Sequence, residues 1–379
     1  MNFVIRAVVA LSFFTNIFAM ETKEPVLQKL QQSLGLLQSK LGQLSMHLQQ
    51  KLPIVYSPDY NISFYGLEYL HPFDSKKYGK VFQFLLDHAG MKKEQFVVPT
   101  MITDQELLRV HTEEYLKTLE KSAVVAGIAQ LGALAWLPNS QVQKHLLNPM
   151  RLATEGTIQA AELALKYGWA INLSGGYHHA KANSGGGFCF FADIPLAIYK
   201  VLDKKKAELS PDAFKQYKVL IVDLDAHQGN GNEDICGKGE YKENIDIFDI
   251  FNEQNYPHDE AAKAFITYKN PVKSGIKDAE YLGILETELP KALEKTKPKL
   301  IIYNAGTDIF ENDPIGGMKI SAAGIIKRDE IVFTLAHKHK IPIVMVLSGG
   351  YTKQSADIIG KSIHNFLSKV LKVSGITSV

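Results

Sequence analysis

Five short runs of apolar and β-branched residues constrain the fold of this 379-residue chain more than any other feature. They occupy residues 169–173, 218–224, 245–250, 300–304 and 342–347. Each run is nearly continuous in hydrophobicity, which is typical of strands that are buried on both faces of a parallel sheet. We therefore predict that these runs form the centre of the fold.

Helical stretches separate the runs, at residues 154–167, 194–202, 279–294, 321–338 and 355–370. Parallel strands need such crossover connections, so the alternation predicts an α/β fold with a central parallel sheet flanked by helices. Residues 54–150 have helical patterns and only one strand-like stretch, 54–56. We expect them to pack around the sheet and not to form a separate domain.

Glycine-rich turns that carry polar side chains follow four of the five runs. The turns read SGGYHHA, DAHQGNG, AGTD and SGGY. In an open parallel sheet, ligands bind outside the carboxyl ends of the strands. The sequence therefore predicts an active site at this edge, built from residues that are far apart along the chain.

Carboxylates and a histidine at two of these strand ends predict a metal site. Asp223, Asp225 and His227 alternate along the end of one run, which would direct their side chains to one side. Asp225 and His227 can bind one ion with Asp308 from another strand end, and Asp223 can lie behind them. This set leaves a position open, as in catalytic zinc sites, and iron and manganese accept the same ligands. The alternative is an ordinary hydrogen-bonded loop at Asp225 and His227.

Composition excludes two other classes of site. Two cysteines cannot form a disulfide framework, and no CxxC zinc pattern is present, so a metal must use His, Asp or Glu. The 42 Lys and Arg residues against 40 Asp and Glu residues give a net charge of +2. Such a balance does not indicate direct nucleic-acid binding, which usually requires a basic excess.

Other residues at the same edge suit proton transfer and access of a substrate. His178 and His179 follow a Gly-Gly turn, and paired histidines beside a metal can accept and donate protons. Tyr351 follows Ser-Gly-Gly and could donate a hydrogen bond to an oxyanion. Phe188 and Tyr256 lie in loops with Gly and Pro and could line a channel. As single residues, these three aromatics would more often belong to a core.

The motifs SGGYHHA, GGGFC, DLDAHQGNG, AGTD and LSGGY resemble those of the zinc-dependent histone deacetylase family. The chain is most similar to the class IV, histone deacetylase 11 type, in a bacterial-type form with a signal-like segment. Its stretches IVYSPDYNISFYGLEYLHPFD and RVHTEEYL support this, and the resemblance runs from about residue 53 to 367. It implies the arginase/deacetylase α/β fold and hydrolysis of acyl-lysine amides, with long-chain fatty acyl groups preferred over acetyl.

The resemblance also implies the metal ions and the substrate contacts. Asp225, His227 and Asp308 would bind one catalytic Zn²⁺, and backbone carbonyls around Asp223, Asp225 and His227 are candidates for a structural K⁺ site. An acylated lysine of a protein or peptide would be the partner. Phe188 and Tyr256 would flank the tunnel that receives the acyl-lysine. The carbonyl of Gly187 would accept a hydrogen bond from the amide N–H of the substrate.

The resemblance also implies acid–base and polarising roles for His178, His179 and Tyr351. His179 would be general base and then general acid, with His178 as its electrostatic partner, and Tyr351 would polarise the acyl carbonyl. Asp223 would orient His178. Many family members have Asp where this chain has Asn230, the expected partner of His179, whereas the class IV branch has Asn. A neutral partner stabilises an imidazolium less, so we predict a lower His179 pKa than in the aspartate-bearing relatives.

Three alternative functions would each require a feature that can be checked in the sequence. An acetylpolyamine amidohydrolase would need acidic loops that hold a polyamine, and the sequence has no dedicated acidic cluster. A binuclear manganese ureohydrolase would need further acidic ligands. A non-catalytic acyl-lysine binding module would have lost a ligand or Tyr351, and all of these residues are present.

Two segments precede the catalytic domain, which we predict at residues 53–375. Residues 1–19 have one basic residue, a short apolar run and a small final residue, as in a secretory signal; a retained anchor and a buried segment are the alternatives. Residues 25–52 carry a leucine heptad that predicts an amphipathic helix, which would pack on its own domain, mediate oligomerisation or contact a membrane surface. A functional signal predicts a secreted or periplasmic protein, and otherwise a cytoplasmic one.

Overall fold

The computed structural model of this chain describes residues 51–64 and 66–376, and a seven-stranded sheet lies at its centre. The strands are β1 (Ile54–Val55), β2 (Trp169–Asn172), β3 (Val219–Asp223), β4 (Ile245–Asn252), β5 (Tyr268–Val272), β6 (Leu300–Asn304) and β7 (Ile343–Val346). Their order is β1-β2-β7-β6-β3-β4-β5, and every neighbouring pair is parallel. This confirms the predicted α/β fold with a central parallel sheet. The signal-like segment, 1–19, and the heptad helix up to residue 50 lie outside the described residues.

The strand β5 was missed by the sequence analysis. Its sequence, YKNPV, alternates between exposed and partly buried residues, and it lies at one edge of the sheet. An edge strand is covered less completely than a central one and tolerates a proline, so it needs no apolar run. By contrast, every residue of β3, β6 and β7 is buried, which is why those strands were predictable.

Thirteen α-helices surround the sheet within the part of the chain that the structure describes. They are α1 (Lys77–His88), α2 (Asp104–Leu107), α3 (Glu113–Thr118), α4 (Ser122–Ile128), α5 (Asn139–Val142), α6 (Asn148–Tyr167), α7 (Asp193–Glu208), α8 (Pro211–Lys215), α9 (Asn230–Lys238), α10 (Glu260–Lys263), α11 (Asp278–Thr296), α12 (Ala322–Lys338) and α13 (Ser355–Lys369). Short 3₁₀ segments lie at Pro58–Tyr60, Leu67–Leu70, Lys93–Gln95, Gly132–Trp136 and Lys242–Asn244, and a π-helical turn at Gln143–Leu147. All five predicted helices are present with shifted ends.

A local sequence signal ends the long helix α6, which continues without a break from the π-helical turn before it. Gly168 follows the helix with a φ of 87°, a left-handed conformation that glycine adopts without strain. The helix packs against β2 and α7, so the chain turns directly from α6 into the sheet. None of the described helices is both long and apolar enough to cross a membrane.

The sheet order explains why the polar turns converge. Strands β2, β7, β6 and β3 are consecutive neighbours, and each is followed by one of the four glycine-rich turns. The strand β3 ends at Asp223, so Asp225 and His227 lie in the turn after it. The predicted strand, 218–224, was one residue too long at each end, and the alternation expected along the strand does not position Asp225 and His227. The turn brings them together instead.

Candidate active site

Asp225, His227 and Asp308 form a compact group of candidate metal ligands. One ligand atom from each residue lies within 4.8 Å of the other two. His227 Nδ1 is 3.1 Å from Asp225 Oδ1 and 2.9 Å from Asp308 Oδ2. All three side chains are buried. The structure therefore brings together the three residues that the sequence analysis proposed as ligands.

Each carboxylate of this group is held through one oxygen and turns the other towards His227. Asp225 Oδ2 accepts hydrogen bonds from Ser348 Oγ at 2.8 Å and from the Gly349 N–H at 3.0 Å. Asp308 Oδ1 accepts one from the Ala226 N–H at 2.9 Å. Backbone and hydroxyl donors thus fix both carboxylates. One oxygen of each remains beside the imidazole, where an ion would bind.

The electrostatics of the group fit a divalent cation. Burial and the charge of Asp225 raise the pKa of Asp308 to about 7. Burial lowers the pKa of His227, but its hydrogen bonds to the two carboxylates outweigh this and raise it to about 10. Two buried carboxylates so close together need a positive charge, from a proton or from a metal ion. Two carboxylate oxygens and one imidazole nitrogen are a donor set that zinc accepts.

Glycine is required where the turn after β7 approaches the carboxylates. A Cβ atom at Gly349 would lie 2.4 Å from Asp308 Oδ2 and 2.7 Å from Asp225 Oδ2. Any side chain at this position would displace one of the carboxylates. The glycine of the LSGGY motif is therefore part of the wall of the candidate metal centre.

His178 is held as a charged imidazole beside the candidate metal ligands. Its Nδ1 is 3.0 Å from Asp223 Oδ2, and its Nε2 is 3.6 Å from Asp225 Oδ1. Burial lowers the pKa of His178, but the charges of Asp223 and Asp225 outweigh this and raise it to about 9. Asn304 donates a hydrogen bond of 2.9 Å to Asp223 Oδ1 and so holds the second oxygen of that carboxylate.

His179 lies next to His178, but its imidazole is neutral whereas that of His178 is charged. Its Nδ1 is 2.8 Å from Asn230 Oδ1, and its ring centroid is 4.1 Å from that of His178. Burial, followed by the charges of His178 and His227, holds the pKa of His179 well below its usual value. A neutral imidazole beside a charged one can accept a proton, which is the arrangement that a general base requires.

Tyr351 lines the same cavity as the two histidines. Its ring makes edge contacts with Phe73 and Phe188, at centroid distances of 5.9 and 6.0 Å. Its backbone N–H donates to Asp313 Oδ2 at 2.8 Å, which holds the turn after β7. Burial and the charges of Asp308 and Asp225 raise the pKa of Tyr351 well above its usual value. The phenol therefore keeps its proton and can act as a hydrogen-bond donor.

Three residues surround His179 at the exposed side of the site. The Tyr256 ring contacts His179 edge-on at 4.9 Å and is 42% exposed, so it lies where the site opens to solvent. Gly187 has a φ of 51°, and a Cβ atom there would lie 2.3 Å from His179 Cδ2. The Gly187 carbonyl accepts the Cys189 S–H at 3.3 Å. Phe188 follows in the cavity wall.

Lys77 is a buried cation that the sequence analysis missed. It lies on α1, and its Nζ donates to the carbonyl oxygens of Ser348 at 2.7 Å and Gly349 at 3.0 Å. Burial lowers the pKa of Lys77 to about 8, although the charges of Asp308 and Asp225 partly offset this effect. Lys77 therefore tethers the turn that carries Tyr351. The sequence offers no signal that separates Lys77 from the nearby lysines Lys76 and Lys80. Only the three-dimensional contact with the turn distinguishes Lys77 from them.

A second group missed by the sequence analysis lies behind Asp223. Asp249 is paired with Asp223 across β3 and β4, and it accepts a hydrogen bond of 3.1 Å from the Gly229 N–H. Burial and the charges of Asp223 and Glu233 raise the pKa of Asp249. Burial also raises the pKa of Glu233, to about 7, and the side chains of Asp249 and Glu233 are hydrogen-bonded to each other. This group could accept protons or a cation.

Two cavities adjoin the site. One has a volume of about 50 Å³ and is lined by the histidine pair, Asp225 and Tyr351. The other has a volume of about 60 Å³. Its lining is mostly apolar and consists of Ile62, Phe64, Glu68, His71, Phe73, Ser75, Ala129, Leu131, Leu134, Leu146, Met150, Phe188 and Phe190. Phe73, Met150 and Phe188 belong to both linings, so the cavities are neighbours.

Comparison with known proteins gives one consistent result. The histone deacetylase domain matches residues 71–367 of this chain. Histone deacetylase 2 of Arabidopsis thaliana is 45% identical over 315 residues, which cover 83% of this chain and 78% of that protein. An uncharacterized protein of Picosynechococcus is 28% identical over 320 residues, 84% of this chain and 98% of that protein. Human histone deacetylase 1 is 25% identical over 323 residues, 80% of this chain and 62% of that protein.

Proposed function

Because this chain belongs to the histone deacetylase family and is an amide hydrolase of the lysine deacetylase type, we propose that its preferred substrates are long-chain fatty acyl-lysines. Acetyl-lysine is then a poorer substrate of the same site. The observation that carries this preference is the apolar cavity of about 60 Å³ beside the histidine pair.

The cavity offers room that an acetyl group does not need. A water-sized group occupies about 10–15 Å³ by this kind of measure, so the apolar cavity holds several groups of that size. The cavity of about 50 Å³ at the histidines is large enough for the acetyl portion alone. Burial of further methylene groups is favourable by about 0.8 kcal/mol each. An acyl chain that continues past Phe73, Met150 and Phe188 would gain this energy.

The residues of the chain supply the proton transfers of the proposed reaction. Neutral His179 accepts at Nε2 the proton of the attacking water, because its Nδ1 is hydrogen-bonded to Asn230. Charged His178 stabilises the negative charge that develops, and Tyr351 donates a hydrogen bond to the oxyanion. His179 then protonates the lysine nitrogen as the carbon–nitrogen bond breaks. The products are a free lysine amine and a carboxylate.

Asp225, His227 and Asp308 would hold a zinc ion. When bound, zinc supplies a Lewis acid that polarises the acyl carbonyl and favours deprotonation of water. The carboxylates and His178 would remain fixed by Ser348, Gly349 and Asp223, so the site would be preorganised before the substrate binds.

A structural potassium ion, implied by the resemblance, is a further part of the proposal. Its candidate ligands are the backbone carbonyls around Asp223, Asp225 and His227, at the end of β3 and in the turn after it. Potassium chloride should then raise the unfolding temperature more than choline chloride at equal ionic strength. Equal unfolding temperatures in the two salts would contradict a structural potassium site.

We also propose that this chain belongs to the class IV branch of the family. The support is Asn230, which contacts His179 at the position where the commoner family pattern has an aspartate. The expected functional consequence of this difference is a shifted dependence of activity on pH.

Substitutions in the apolar cavity test the acyl preference. Ala129 lines the cavity, and Ala129→Leu would fill part of it. We expect kcat/KM for a myristoyl-lysine peptide to fall by about tenfold, because rejecting a methylene-sized group in an apolar pocket has an effect of this order. The value for the acetyl-lysine peptide of the same sequence should stay unchanged.

Leu134→Ala is the matched control, because Leu134 lines the same cavity and the substitution enlarges it. This variant should keep its activity on the myristoyl peptide. A parallel loss on both peptides in Ala129→Leu would mean that the cavity does not receive the acyl chain.

A further inference from the structure

A hydrogen-bonded chain extends from His179 through Asn230 to an ion pair. Asn230 Oδ1 lies 2.8 Å from His179 Nδ1, and Asn230 Nδ2 donates to Asp259 Oδ2 at 3.2 Å. The same oxygen of Asp259 accepts from Lys181 Nζ at 2.6 Å. Lys181 is two residues after His179, so the chain returns to the loop that carries the histidines. It links three segments: this loop, the beginning of α9 and the segment before α10.

Asp259 is fixed in place independently of its side-chain contact with Asn230. The Gln228 side chain binds its backbone from both sides, since Oε1 accepts the Asp259 N–H at 3.1 Å and Nε2 donates to the Asp259 carbonyl at 2.9 Å. Asp259 Oδ1 accepts from the Ala262 N–H at 3.1 Å and caps α10. Its Oδ2 is therefore directed at Asn230 and Lys181 by the backbone.

The ion pair decides which way the Asn230 amide faces. A carboxylate can only accept hydrogen bonds, so the amide nitrogen must be the atom beside Asp259. The amide oxygen then faces His179 and can only accept a hydrogen bond from Nδ1–H. The neutral imidazole consequently carries its proton on Nδ1 and leaves Nε2 free to act as a base. A flipped amide would present an N–H to Nδ1 and favour the opposite tautomer.

We propose that Asp259, held by Lys181, is a positioning residue that orients Asn230 and thereby selects the catalytically competent tautomer of His179. The commoner family pattern has a carboxylate at the position of Asn230, and a carboxylate has two equivalent oxygens and no orientation to lose. In this chain, the amide of Asn230 lies between the imidazole of His179 and the carboxylate of Asp259. The inference rests on the proposed role of His179 as the general base.

A double-mutant cycle separates this role from a structural one. Asp259→Asn should lower kcat/KM by about tenfold in the natural background, the lower end of the effect seen when the partner of a catalytic group is removed. In the Asn230→Asp background, the same substitution should cause no loss, because a carboxylate at position 230 needs no orientation. It would also remove the repulsion between two adjacent carboxylates. An equal loss in both backgrounds would overturn the proposal.

Two controls account for helix capping and for charge. Asn and Ser both cap helices well, so Asp259→Ser keeps an acceptor for the Ala262 N–H but no longer reaches Asn230. Asp259→Ser should therefore lose as much activity as Asp259→Asn; full activity would contradict the proposal. Glu260→Gln removes an adjacent negative charge that is 79% exposed and should leave kcat/KM unchanged. A tenfold loss in Glu260→Gln would assign the effect to net charge and refute the positioning role.

Nuclear magnetic resonance of the zinc-loaded protein with ¹⁵N-labelled histidine reads the tautomer directly, without a substrate. The resonances of His179 are assigned as those missing from His179→Ala. We expect His179 to be protonated at Nδ1 in the natural protein and to become mixed or Nε2-protonated in Asp259→Asn. Asp259→Ser, which keeps the helix cap, should shift the tautomer in the same direction and serves as the readout if Asp259→Asn does not fold. An unchanged tautomer would refute the inference, whereas inactivity on every acyl-lysine would refute only the proposed function.

Discussion

The partner of His179 is the single residue whose chemistry distinguishes this site most clearly. Burial and two neighbouring imidazoles lower the pKa of His179, and the hydrogen bond to the uncharged amide of Asn230 offsets this only in part. A base with a low pKa is available over a wide range of pH, but it accepts a proton less strongly. The site therefore favours availability of the base over its strength.

Asn230→Asp should move the dependence of activity on pH. A carboxylate beside Nδ1 stabilises the imidazolium and raises the pKa of His179. Since the neutral form is the active base, kcat/KM rises with pH through this pKa. The acidic limb of the profile should shift to higher pH by about one pH unit, with activity lost at low pH. Measured profiles that coincide would remove the predicted effect of the neutral partner.

Tyr351→Phe and His179→Ala should each lose most of their activity while they retain zinc. Tyr351 supplies the donor to the oxyanion, and removal of one such donor lowers kcat by about 10²–10³. Neither side chain is among the three candidate ligands, so zinc content measured by metal analysis should be unchanged. Full turnover in both variants would show that the assigned roles are wrong.

Sequence motifs indicated the candidate metal ligands because each lies in a turn that follows a buried strand. Asp225, His227 and Asp308 needed only the rule that parallel strands end at one edge. Lys77 could not be predicted in this way, because it contacts Ser348 across 271 residues of the chain. The contact depends on how α1 packs against the turn after β7, which no local pattern records.

At the scale of elements, the helix α12 supports the turns that carry the candidate metal ligands. Its buried Arg328 donates to the carbonyl oxygens of Leu224 at 3.1 Å and Gly306 at 2.6 Å. A further bond of 3.3 Å reaches the Ala305 carbonyl. These carbonyls belong to the turns after β3 and β6, which contain Asp225 and Asp308. One guanidinium group thus links both turns.

Arg328→Lys should destabilise the protein by about 3 kcal/mol, because an ammonium group cannot satisfy carbonyls in two turns at once and buried acceptors are left unpaired. Urea unfolding measures the change. The neighbouring Lys327→Gln is the control, since its ion pair with Glu330 is half exposed and contributes little. A loss as small as that of the control would contradict this role of Arg328.

The elements that the sequence predicted well are those covered on both sides. The strands β3, β6 and β7 were found because burial demands continuous hydrophobicity, and their ends were correct within about one residue. The strand β5 was missed because its outer residues face solvent.

At the scale of the whole molecule, the signal-like segment and the heptad helix stay predictions, since residues 1–50 lie outside the described residues. If residues 1–19 are a cleaved signal, the mature protein begins at Met20 and acts outside the cytoplasm. The intact mass of protein purified from its natural source measures this. A mass that includes all of the first nineteen residues would contradict cleavage.

The acyl preference and the metal dependence together form the central claim, and one assay tests both. Peptides of one sequence that carry acetyl- or myristoyl-lysine are hydrolysed in parallel by the natural protein, with and without a chelator, followed by re-addition of zinc. The account predicts a higher kcat/KM for the myristoyl peptide, loss of both activities with the chelator and recovery with zinc. Hydrolysis that persists in demonstrably metal-free protein, or equal or faster turnover of the acetyl peptide, would contradict it.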